Sequence, residues 1–314
     1  MSRTEEASGS SSGRSSAATA PGALEHWLSS VPPPLIFVVS ALSLYAGAAL
    51  AIKSFDRVPP AGVAWWRQAG AATALLVVRR PWRRRWTRPE VITAVLLGLI
   101  TATMNVLFYV AIRTIPLGTA VAIEFIGPIA VGAATARSRR AVVAVAIGGA
   151  GVATLAGVEL GGAPGGLLAI GAAAACWAAY IVLGKRVALG AGIDGLAIGT
   201  AAAALITAGP LWHWSSRALD GGALLVATLL AVGLLSNAIP YGLDQTVLRR
   251  IGTSRFSVLL AILPTTATVT GAVFLAQIPT ITELVGIALV VIAVSTSEGG
   301  VDRRGRPQPA GGRD

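Results

Sequence analysis

Charge is what this chain has least of. Only 12% of its 314 residues are Asp, Glu, Lys or Arg, about half the ~25% found in soluble domains, too few to cover a water-facing surface. Cysteine occurs once, at Cys176 within an apolar run, which excludes an internal disulfide and a thiolate metal cluster. Histidine occurs twice, at His26 and His213, far apart in sequence. With no Ser/His/Asp, Cys/His or metal-ligand constellation, an enzyme has little to be built from. No Walker-type phosphate-binding loop occurs either. No metal and no cofactor is therefore expected.

What the chain has in excess is apolar length. Hydrophobic residues make up 54% of it and the mean hydropathy is +0.72. The apolar runs are close to the ~20 residues that cross a ~30 Å hydrocarbon core as a helix. Spans are predicted near 35–52, 61–78, 91–112, 117–136, 141–158, 166–184, 195–214, 223–248, 254–277 and 281–297. The expected fold is an all-α integral membrane protein of ten transmembrane helices. Residues 1–32, rich in Ser, Gly and Ala, and the polar residues 299–314 read as disordered cytoplasmic tails, and no cleavable signal precedes the first span.

The net charge of +11 would suit a nucleic-acid partner, but its distribution argues otherwise. With a cytoplasmic N-terminus, 20 of the 25 Lys and Arg residues fall inside, four (Lys53, Arg57, Arg113, Arg217) fall outside, and Arg67 lies within a span. This bias, alternating loop by loop, is the positive-inside rule. The basic excess is thus a topology signal with the bilayer as partner, both termini are expected in the cytoplasm, and no nucleic acid is expected. Trp82 and Trp86, like Trp212 and Trp214, sit where interfacial aromatic belts are expected.

The chain carries an internal repeat. Asn105 and Tyr109 lie four apart in the third predicted span, and the fourth holds Pro128, ten residues after Gly118. Asn237 and Tyr241 repeat the spacing in the eighth, and the ninth holds Pro264, ten residues after Ser254. One short indel reconciles the two sets. The halves are expected at 33–160 and 161–298, and five spans per half forces opposite orientations. Inverted repeats are characteristic of secondary transporters with a site near the midplane. Pro128 and Pro264 each remove a backbone hydrogen bond and are candidate hinges. Gly148, Gly151, Gly195 and Gly199 suit close helix approach.

Ionisable groups within spans cost roughly 2.5–3.5 kcal/mol each on insertion scales and point to function. Glu124 lies seven residues into the fourth predicted span and Arg67 six into the second, both entered from outside. They can form a structural ion pair, or Glu124 can take up a proton or a substrate amine while Arg67 holds a carboxylate. Asp244 is a further carboxylate, five residues before Arg249, where an interfacial role competes. Glu283 follows Thr280 in the capping-box pattern and receives no transport role. Asn105, Tyr109, Asn237 and Tyr241 are candidates for lining the pathway or for bonding helix to helix. Tyr45, Trp177 and Tyr180 are candidate cavity aromatics.

The stretch Ile115-Pro116-Leu117-Gly118-Thr119-Ala120-Val121-Ala122-Ile123-Glu124-Phe125-Ile126-Gly127-Pro128 resembles the drug/metabolite transporter superfamily in its ten-helix EamA form. Within it the likeness is greatest to the bacterial threonine/homoserine exporter subgroup. Gly47 to Ser54, Arg67, Cys176-Trp177-Ala178-Ala179-Tyr180 and Ile239-Pro240-Tyr241-Gly242-Leu243-Asp244 carry it further, over about residues 33–297. Two departures stand out: Leu263 occupies the position of a usual ninth-span glutamate, and Ala276-Gln277 replaces a common Gly-Glu pair. The eighth-span carboxylate is Asp244 where the subgroup usually has glutamate. The resemblance implies a bacterial inner-membrane exporter of small metabolites, often amino acids, with a cavity between the halves. The resulting expectation is a secondary active exporter of a small-molecule substrate, coupled to protons and working by alternating access. A multidrug or lipophilic-cation exporter on the same fold and a non-transporting assembly partner are the alternatives. Oligomeric state is not legible.

Overall fold

The computed structural model describes residues 31–136, 139–159, 163–240, 243 and 262–297. Tyr241, Asp244 and nearly all of the two expected tails lie outside the described residues. Every regular element among the described residues is helical, in agreement with the all-α expectation. The helices of eight residues or more are α1 Pro33–Ile52, α2 Pro60–Arg79, α3 Arg88–Ala111, α4 Leu117–Glu124 and α5 Ile126–Ala136. They continue with α6 Arg139–Glu159, α7 Pro164–Gly190, α8 Gly192–Ser215, α9 Gly222–Gly233, α10 Ile262–Leu275 and α11 Ile281–Ser297. Four of them (α1, α3, α7 and α8) contain stretches long and apolar enough to cross a membrane unaided.

Local chemistry sets where the helices begin. Proline opens α2 and α7, where its missing N–H would be unpaired in any case. Glu90 starts α3 by accepting from the Thr87 N–H (3.0 Å) and hydroxyl (2.9 Å). Glu283 does the same for α11, accepting from the Thr280 N–H at 2.7 Å and hydroxyl at 2.8 Å, as its sequence pattern predicted. Hydroxyls inside the apolar helices mostly turn back to the carbonyl four residues earlier, as Thr101 does to Leu97 at 2.8 Å. That satisfies them at little cost.

Two departures from a plain helix matter. The fourth predicted span is not one helix but two, α4 and α5, interrupted at Phe125. Pro128 has no N–H to offer the Glu124 carbonyl four residues before it, so the ladder lapses there and resumes with Ile129 N–H to Phe125 O at 3.1 Å. In the eighth span, α9 runs into a π turn, Leu234–Ala238. Such turns are rare and recur at functional sites.

Packing is close where side chains are absent. A Cβ built on Gly98 would fall onto the Gly199 carbonyl, and one on Gly199 onto that of Ala94, so α3 and α8 meet nearly backbone to backbone. Gly70 and Gly233 bring α2 and α9 together in the same way, against Leu230 and Arg67 carbonyls. Gly151 meets the Gly286 carbonyl between α6 and α11. Gly195, by contrast, faces only the end of the preceding helix, at Val187 and Ala191. Further packed pairs are α3 with α7, α2 with α8, α1 with α10 and with the π turn, α5 with α7, and α4 with α10.

Candidate functional site

The centre of the bundle is organised by one guanidinium. Arg67, the eighth residue of α2, is 7% exposed. Its Nη1 donates to Asn105 Oδ1 on α3 at 2.7 Å, and its Nη2 to Asn237 Oδ1 in the π turn at 2.8 Å, with the Ser236 carbonyl at 3.3 Å. The Tyr109 ring, one turn beyond Asn105, lies 5.3 Å from the guanidinium carbon. The two asparagines that repeat in sequence thus converge on the same cation. Arg67 Nε is buried without an acceptor, and the buried Tyr109 hydroxyl, with Ser236 as its polar neighbour, completes no hydrogen bond.

The π turn is why Asn237 reaches. It shifts the helix face so that Ser236 and Asn237 are both buried. The turn is held in place by α1: Ser43 donates to the Leu235 carbonyl at 2.8 Å and Ser236 to the Leu44 carbonyl at 3.3 Å. A Cβ on Gly47 would collide with the Ser236 hydroxyl. Tyr45 is buried on the same helix.

Glu124 ends α4 at the helix break and is 7% exposed. The expected alternative of a Glu124–Arg67 ion pair is not realised. The ion pairs among the described residues are Arg79 with Asp194 (2.9 Å) and Arg84 with Glu90. Arg67 donates to amide oxygens instead, and the Glu124 carboxylate has no hydrogen-bond partner among the described residues. Beside it, Phe125 meets Trp177 edge to face, centroids 4.8 Å apart. Tyr180 is half-buried one turn further along α7. Pro264 is buried in the first turn of the described α10, beside buried Leu263.

Two participants were not foreseen. Gln68 is 1% exposed; its Oε1 accepts from Asn105 Nδ2 at 3.4 Å. Ser236 contributes a carbonyl to Arg67 and a hydroxyl to α1. Both are polar residues inside apolar spans and adjoin a candidate, the one signal that would have found them. Away from Arg67, the start of α4 is tied to the α10–α11 connection. Leu117 N–H donates to Gln277 Oε1 at 3.0 Å and the Thr119 hydroxyl to Glu283 at 2.9 Å, around a cavity of about 100 Å³. Glu283 therefore caps its helix and also joins it to α4.

The described residues hold no group of three or more His, Cys, Asp or Glu able to ligate a metal. The model of the EamA-like transporter family matches residues 164–297. The chain is 35% identical over 290 residues to the threonine/homoserine exporter RhtA of Salmonella typhimurium (strain SL1344), covering 88% of this chain and 94% of that one. It is 36% identical to the exporter of the same name from Escherichia coli (strain K12), covering 87% and 93%. A crystal structure superposes with a TM-score of 0.55 at 21% identity, over 84% of this chain and 96% of that one, a likeness of fold. This multi-pass membrane protein is accordingly a transporter and not an enzyme, and it belongs to the EamA-like family of the drug/metabolite transporter superfamily, on the branch that holds the RhtA exporters.

Proposed function

We propose that the chain exports small amino-acid-like metabolites by proton-coupled alternating access, with Arg67 holding the substrate carboxylate and Glu124 exchanging a proton for the substrate amine. One observation carries this reading. A buried cation is held by neutral oxygens alone among the described residues, and the buried Glu124 carboxylate has no hydrogen-bond partner among them. Uncompensated charge is costly inside a membrane, and a zwitterion supplies the missing partner at both ends. Protonation of Glu124 removes the second charge when substrate is absent, which couples the two. The relatives' name, threonine/homoserine exporter, agrees with a substrate of this class.

The packing supports two inverted halves, 33–160 and 161–298. Exchanging the first five expected spans for the last five in order turns α3 on α7 into the eighth span on α1, and α3 on α8 into α9 on α2. It turns α5 on α7 into α10 on α1, and leaves α2 on α8, α4 on α10 and α6 on α11 as they are. All of these pairs are packed. With the N- and C-termini cytoplasmic in the inner membrane, α2 and α4 are entered from outside. Arg67 and Glu124, each the eighth residue of its helix, then lie at matching depth, about 10 Å in at 1.5 Å per residue.

Counterflow of radiolabelled threonine or homoserine in proteoliposomes tests the scheme. Glu124→Gln is expected to retain exchange but lose its pH dependence, and unchanged pH-dependent transport removes Glu124 from the mechanism. The Phe125–Trp177 aromatic pair beside a carboxylate also suits a lipophilic cation. Protection of growing cells against cationic dyes, with none against amino-acid analogues, would favour that second reading.

A further inference from the structure

We propose that the segment joining α2 to α3 is a built site for the headgroups of anionic phospholipids. Positive-inside topology needs only the presence of Lys and Arg in a loop; an unstructured one would serve. This segment is ordered far beyond that need. Helix α2 is stopped at Arg80, a non-glycine residue in the left-handed conformation (φ 49°), whose N–H caps the Leu76 carbonyl. Pro81 is buried and opens a single 3₁₀ turn, Pro81–Arg83. The Trp86 indole N–H donates back to the Pro81 carbonyl at 3.0 Å. Arg84 is pinned between Glu90 and the Ala191 carbonyl, with its guanidinium 5.0 Å from the Trp86 ring.

The consequence of that internal bonding is a sorting of arginines. Arg79 and Arg84 are spent on Asp194 and Glu90. Arg80, Arg83, Arg85 and Arg88 are exposed, and none forms an ion pair among the described residues. Between them stands Trp82, 63% exposed, and below it on α2 the exposed Val77 and Val78. One short segment therefore exposes apolar, indole and guanidinium groups together, the set that acyl chain, interface and phosphodiester call for. Arginine pairs with phosphate through two parallel hydrogen bonds, and a fixed turn presents its forks with little ordering cost. An acidic protein partner would leave the valines and the tryptophan unexplained.

The full chain in nanodiscs of phosphatidylcholine with a minority of phosphatidylglycerol or cardiolipin tests this, with co-purifying lipid counted by native mass spectrometry. Both leaflets carry the same lipid, so the outcome depends neither on the proposed orientation nor on the transport scheme. The wild type is expected to retain anionic over zwitterionic lipid. Arg83→Gln with Arg85→Gln is expected to weaken that retention about thirty-fold or more, since each change removes a charge-assisted hydrogen-bonded contact to phosphate. Arg139→Gln with Arg186→Gln removes the same charge elsewhere and should leave retention within about two-fold of wild type. Arg83→Lys with Arg85→Lys keeps the topology signal and should give an intermediate value, since an ammonium lacks the planar fork. Equal losses in the glutamine pair and the elsewhere pair would reduce the effect to bulk charge and overturn the proposal. So would retention of zwitterionic lipid equal to anionic, soluble phosphate or glycerophosphate displacing the lipid at millimolar concentration, or an acidic protein bound where no lipid is.

Discussion

The sharpest quantitative consequence of the Arg67 cluster is that its two asparagines should not act independently. Asn105 and Asn237 each accept one hydrogen bond from the same guanidinium, at 2.7 and 2.8 Å, and the remaining acceptor is the Ser236 carbonyl at 3.3 Å. A hydrogen bond to a charged group contributes roughly 1.5–3 kcal/mol in proteins. Interhelical bonds in membranes average about 0.6 and reach about 1.7 kcal/mol. Because the cation is buried without a described carboxylate, the upper part of the membrane range applies, and Asn105→Ala or Asn237→Ala alone should each cost about 1.5 kcal/mol. With both removed, the guanidinium approaches an unpaired buried charge, which costs about 3–5 kcal/mol. Against singles that sum to about 3 kcal/mol, the middle of that range puts the pair about 1 kcal/mol above additivity. Reversible unfolding in mixed micelles, run as a double-mutant cycle, measures this directly. In an Arg67→Met background the two alanine changes should become nearly additive and much smaller. Additivity within about 0.5 kcal/mol in the wild-type background, the behaviour of independent sites, would refute the shared-cation account.

Two further outcomes follow from the backbone. Gly98→Val drives a side chain into the Gly199 carbonyl and should destabilise by at least the ~1–3 kcal/mol of an overpacked core. Gly149→Ala meets nothing within 4 Å and should leave thermal stability unchanged; equal behaviour of the two would contradict the described α3–α8 approach. Pro128→Ala returns an N–H to the Glu124 carbonyl, so α4 and α5 can fuse. Thermal unfolding should show a gain of about 1–3 kcal/mol while counterflow falls at least ten-fold; a variant that transports as well as wild type would show that the break is incidental.

Much of the molecule could be read from its residues because a membrane simplifies the problem. Apolar length located the helices, since each expected span overlaps a described helix, and polarity inside those lengths picked out Arg67, Asn105, Tyr109 and Asn237, which do come together. Their roles in transport remain expectations. What escaped was backbone departure from the α geometry. Pro128 marked a hinge, but the break falls at Phe125, because the missing bond is the one to Glu124. Nothing in Leu234-Leu235-Ser236-Asn237-Ala238 announces a π turn, for no proline or glycine lies within it. The partner of Arg67 was equally hidden. Opposite charges at equal depth suggested Glu124, yet two amide oxygens and a carbonyl answer the guanidinium's geometry instead. Tyr241 and Asp244 lie outside the described residues.

The π turn also makes the cluster depend on how long the chain is, apart from what it contains. Such a turn is how a helix accommodates one surplus residue. Taking one residue out of 234–236 would let the helix close to regular α geometry, and a one-residue change of register swings a side chain by about 100° around the axis. The Asn237 oxygen would leave Arg67 although every participating side chain was still present. An insertion, ordinarily counted as damage to a helix, serves here to aim a side chain. Relatives of equal composition but one residue shorter at this point would need another acceptor for the same cation.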